Sequence, residues 1–67
     1  MFDARVAFGR LDGRTLNPHE LRRELEQIRM DNVGELPPEF GIRELLRVAE
    51  RRNWLRAEQG QLRVVVR

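Results

Sequence analysis

Sixty-seven residues make one small domain, 1–67, whose thin core removes only about 60% of the surface the unfolded chain exposes. Cysteine is absent and His19 is the single histidine, which excludes a disulfide framework, a thiolate zinc site and multi-histidine metal centres, so no cofactor is implied. The net charge of +2 rests on 13 basic residues, all arginine; the excess falls after residue 34 and favours anionic partners only weakly.

No apolar run approaches the roughly 18 residues of a membrane span, and nothing near Met1 resembles a signal peptide. A soluble, cytoplasmic protein without a membrane partner is therefore expected. In chain order, Phe2, Ala4, Val6 and Phe8 alternate with Asp3, Arg5 and Ala7, the period-two pattern of a strand with one buried face. Asp12-Gly13 suits a tight turn, so residues 9–16 form either a hairpin with a short return strand at Arg14–Leu16 or a plain loop.

A helix is expected over 18–31. Asn17 fits its N-cap, Pro18 its first position and Glu20 its third, a capping-box arrangement, while Leu16 and Leu21 have the spacing of a hydrophobic staple. Leu21, Leu25 and Ile28 form its apolar stripe, and the pattern fades at Asp31-Asn32. Residues 33–41 read as a connection, with room for one turn from Pro38 to Gly41 and with Leu36 and Phe40 pinned to the core.

A second helix runs from Ile42 through Asn53, with Ile42, Leu45, Leu46 and Ala49 on one face and Val48 at its edge. Trp54–Ala57 and Leu62–Val66 then read as two strands around a glycine-containing loop, a hairpin with Leu62, Val64 and Val66 on one face. The assembled class is α+β: two helices packed on a small antiparallel sheet, with the N-terminal strand a candidate partner for the last one.

Catalytic machinery is sparse. There is no serine, cysteine, lysine or tyrosine, Thr15 is the sole hydroxyl, and His19 in the first turn of a charged helix reads as a surface residue; the chain is not expected to be an enzyme, and no small-molecule substrate is evident. The notable constellation is Arg43, Arg47 and Arg51, whose i, i+4, i+8 spacing lines them up opposite the apolar face of the second helix. Such a row suits phosphate binding and guanine reading, and equally suits a solvated face whose ion pairs run to Glu39, Glu44 and Glu50. Trp54, at the helix–hairpin junction, reads as core rather than as a stacking platform.

The segment Ile42–Arg56 followed by Leu62–Val66 resembles the last helix and wing of a winged helix-turn-helix domain. That resemblance implies a recognition helix in the major groove and a wing on the flanking backbone. It points to Arg43, Arg47 and Arg51 on the helix and to Arg56, Gln59, Gln61 and Arg63 on the wing. Winged helices normally have three helices, whereas residues 33–41 leave room for barely one turn of a middle one. The function expected is a small DNA-binding regulator of bacterial or phage type, with double-stranded DNA as partner. The alternative is a protein-interaction or self-associating module using Ala7 and Val65 on the outward sheet face, with Met30.

Overall fold

The computed structural model describes residues 3–32 and 41–67. Among them are α1 (Ala4–Gly9), β1 (Thr15–Leu16), α2 (Pro18–Asp31), α3 (Ile42–Arg51), β2 (Leu55–Glu58) and β3 (Gln61–Val64). The class is α+β, with three helices rather than two beside a three-stranded antiparallel sheet of order β1-β3-β2. Phe2, Leu36, Phe40 and the turn expected at 38–41 fall wholly or partly outside the described residues.

The expected N-terminal strand is a helix. The Asp3 carboxylate accepts from Val6 N at 3.0 Å as its N-cap, and the buried residues are Ala4, Ala7, Phe8 and then Leu11, at helical rather than alternating spacing. Ala7, assigned by alternation to the outward face, is fully buried, while Val6 is 39% exposed. Six residues cannot sustain a helix alone in water, so α1 depends on packing against α2 and α3.

Because residues 4–9 are helical, the final strand pairs elsewhere. Thr15 stands opposite Arg63 and Leu16 opposite Leu62, so the short strand near Arg14–Leu16 exists but belongs to the C-terminal sheet rather than to an N-terminal hairpin. Gly13, at φ +84°, takes the left-handed turn that this requires, and its N–H donates to Val64 O at 2.7 Å. Val64 N returns to Arg14 O at 2.9 Å, and Val66 N reaches the Asp12 carboxylate at 3.0 Å. The loop after α1 is thereby stitched to the last strand.

The second helical element, α2, begins as its sequence dictates. Glu20 N donates to Asn17 Oδ1 at 2.8 Å and Asn17 N to Glu20 Oε1 at 3.1 Å, a complete capping box over Pro18. Leu16 and Leu21 are both buried beside it, and Leu21, Leu25 and Ile28 face the core. Asn32 closes the other end, its side-chain amide on Ile28 O at 2.8 Å.

Helix α3 stops at Arg51, two residues short of the pattern-based boundary. Asn53 adopts φ +59°; its N–H bonds to Glu50 O at 3.1 Å and that of Trp54 to Ala49 O at 2.9 Å. These are the paired bonds of a left-handed C-cap, with the buried Trp54 and Ala49 as the accompanying apolar contact. The cap turns the chain so that Trp54, 2% exposed, enters the core and meets Phe8 at a ring separation of 5.8 Å. Val64 and Leu16 supply the inner face of the sheet, with Leu55, Leu62 and Val66 packed at its margin.

Candidate nucleic-acid interface

Packing decides which side of α3 faces water. Ile42, Leu45 and Ala49 are buried and Leu46 and Val48 lie against the core, so Arg43, Arg47, Glu50 and Arg51 form the exposed face. The three arginines are aligned in a row as their spacing dictates. Adjacent guanidinium groups at i, i+4 repel by a few tenths of a kcal/mol each, about 0.2–0.5, unless acids answer them.

Two of the acids expected to do so are within the described residues, and neither does. The Glu44 carboxylate accepts from Gly41 N at 3.1 Å and so caps the start of α3. Glu50 forms no ion pair among the described residues; a salt bridge that does form there, Arg14–Glu24 at 3.7 Å and half-exposed, lies away from this face. Glu39 lies outside the described residues. The row is thus a basic face whose charges point into solvent.

A groove of about 270 Å³ runs along one flank of this row, lined by Arg43, Leu46, Arg47 and Glu50 of α3 and by Arg22 of α2. No pattern in the sequence singles out Arg22. Its position about 100° from the Leu21 direction places it on a shoulder of α2, but which neighbour that shoulder meets depends on tertiary packing.

The hairpin carries the remaining candidates. Arg56 and Arg63 are directly opposite in the β2–β3 register, both exposed, and Thr15 continues the line across β1. Like charges in such a pair are destabilising unless an anion lies between them. The loop is tighter than expected: Gln59 (φ +50°) and Gly60 (φ +80°) form a two-residue turn of the type I′ kind, and Glu58 pairs with Gln61. Gln59 and Gln61 therefore stand exposed at the hairpin tip. No hydrogen bond or ion pair joins the α3 row to the hairpin among the described residues; the C-cap turn at Asn53 separates these two basic surfaces.

Trp54 belongs to the core rather than to the exposed basic surfaces. Its ring is covered by the guanidinium groups of Arg5 and Arg52, centred 5.5 and 5.7 Å from it, which adds cation–π attraction to the burial of the indole. Of the apolar residues that suggested a protein partner, Ala7 is inside the core and Val65 is half-buried, its N–H on Trp54 O at 2.8 Å. Met30, at 66% exposure, stands apart from them on α2. His19 is exposed on the first turn of α2, and no group of three histidine or acidic residues suited to a metal occurs among the described residues.

Comparison of the chain with protein-family models, with curated proteins and with solved structures finds no match.

Proposed function

We propose that this protein is a small DNA-binding module of winged-helix type, with α3 as its recognition helix and the β2–β3 hairpin as its wing. The observation that carries the reading is the Arg43, Arg47, Arg51 row, exposed and unanswered by carboxylates among the described residues. A duplex carries a negative charge about every 1.7 Å along its axis, so it is the natural counter-surface for such a row. Arginine's planar fork holds phosphate or the O6/N7 edge of guanine with two parallel bonds.

Two further features support it. The third helix that the winged-helix resemblance calls for is available as α1, at the N-terminus rather than in the middle of the chain. The hairpin exposes Arg56 and Arg63 as a like-charged pair with amide side chains at its tip, a combination suited to flanking phosphates.

Duplex binding measured across a salt series tests the proposal. Binding is expected at low salt and to weaken steeply as salt rises, with Arg47→Ala and Arg51→Ala losing affinity while their far-ultraviolet dichroism and melting stay unchanged. Absent binding, or binding indifferent to salt, would sink it.

A further inference from the structure

The exposed face of α3 carries Arg43, Arg47, Arg51 and one residue of opposite sign, Glu50. Glu50 is not explained by the stability of the helix. It occupies the last turn, where a negative charge opposes the helix dipole. Its nearest candidate partner, Arg47, precedes it, the weaker orientation for a helical ion pair, and no ion pair forms. Nor does it help a surface that merely holds phosphates, because a carboxylate in the groove beside Arg22, Arg43 and Arg47 repels them.

A carboxylate does have a use where bases are read. In the major groove the N4 amino group of cytosine is a donor that Glu or Asp accepts from, while Arg is the favoured partner of guanine O6 and N7. Of the exposed amides that could read adenine, Asn53 follows the helix at its C-cap turn and Gln59 and Gln61 lie at the hairpin tip, while the apolar residues of α3 nearest this face, Leu46 and Val48, are packed against the core and not presented to a thymine methyl. Spacing agrees with this division. Arg47 and Glu50 are about 4.5 Å apart along the helix axis at 1.5 Å per residue, close to the roughly 3.4 Å step between bases. Arg43 to Arg51 spans about 12 Å, or three to four base pairs.

We infer that α3 reads a short G·C block, with Glu50 accepting from a cytosine beside a guanine held by Arg47, and that Arg22 across the groove holds an adjoining phosphate. The inference rests on the DNA-binding reading above and adds to it a sequence class and two residues. Glu50 acts in it as a discriminator: it lowers affinity for duplex at large and restores it where a cytosine amino group is presented.

Selection from a randomised duplex library at one fixed salt concentration, followed by titration of individual duplexes, tests this. Enriched sequences are expected to share a block of about three or four G·C pairs, bound at least about tenfold more tightly than A·T duplex of equal length. Glu50→Ala is expected to lose discrimination at one pair of that block and to bind unrelated duplex more tightly, since a charge facing phosphates has gone. Arg22→Ala is expected to weaken all duplexes alike and leave the preference intact. Equal affinity for G·C and A·T duplexes, or Glu50→Ala leaving every position's preference unchanged, overturns the inference while DNA binding stands. No binding to any duplex at low salt removes both. Because Glu50 and Arg22 are exposed, unchanged melting curves verify that each variant folds.

Discussion

Replacing Asn53 tests how the helix–hairpin unit is built. Asn53 sits at φ +59° with no side-chain hydrogen bond, and its conformation lets the Trp54 and Asn53 amides reach the carbonyls of Ala49 and Glu50. A residue with a Cβ pays roughly 1–2 kcal/mol to occupy that region, and asparagine somewhat less. Glycine removes the steric cost but gives the unfolded chain more freedom, about 0.5–1 kcal/mol in the opposite direction. Asn53→Gly is therefore expected to stabilise by about 0.5 kcal/mol or less, and Asn53→Val, β-branched and worst suited to positive φ, to destabilise by about 1–2 kcal/mol. A chain of this length has only about 3–10 kcal/mol of total stability, and each kcal/mol moves Tm by about 4–8 °C. The valine variant should thus melt about 5–15 °C lower, a shift easily read from the fluorescence of the single tryptophan. A valine variant as stable as the parent, or a glycine variant markedly less stable, would refute the role given to the left-handed cap.

If the five arginines Arg22, Arg43, Arg51, Arg56 and Arg63 each neutralise a phosphate, the plot of log affinity against log salt has a slope of about −4.5, and each of these arginine-to-alanine changes lowers its magnitude by about 0.9. Removing the cap of α1 with Asp3→Ala is expected to cost about 1 kcal/mol, read from urea unfolding. Asp12→Ala frees the Val66 amide and is expected to cost about 0.5–1.5 kcal/mol, with faster hydrogen exchange at Val66 than at Val64 as the local readout.

How much of this was legible follows from how local each signal is. The cap and stripe of α2 lie within one stretch of sequence, so its 18–31 span and its staple are read directly. The α3–hairpin unit is equally local, except that the end of α3 depends on Asn53 adopting positive φ, which composition does not announce. The N-terminal segment misleads because Ala4 and Phe8 fit both periods: alternation joins them through Val6, helical spacing through Ala7 and Leu11. Asp3, placed to cap Val6, is the signal that decides for the helix.

The strand at Thr15–Leu16 is visible as a short run, but its partners, Arg63 and Leu62, lie far along the chain and no local pattern names them. The arginine row is legible from spacing alone. That Glu44 is occupied by capping Gly41 is readable from their separation, whereas the meeting of Arg22 with Arg43, Arg47 and Glu50 is a product of how α2 packs on α3.

The place of β3 in the sheet has a consequence for the order in which the molecule assembles. The strand at the centre of the sheet is the last of the described elements in sequence order, and the bond from Val66 to Asp12 closes a separation of 54 residues. During synthesis α1, β1 and α2 emerge with no sheet to pack on, and β1 cannot pair until residues 61–64 have left the ribosome. The two-residue turn lets β2 and β3 zip together locally within microseconds, whereas docking of β1 must first close the long loop. Assembly of the sheet is thus gated by β3: until residues 61–64 are available, the helices can pack only on one another, and the sheet-facing side of the core is left uncovered.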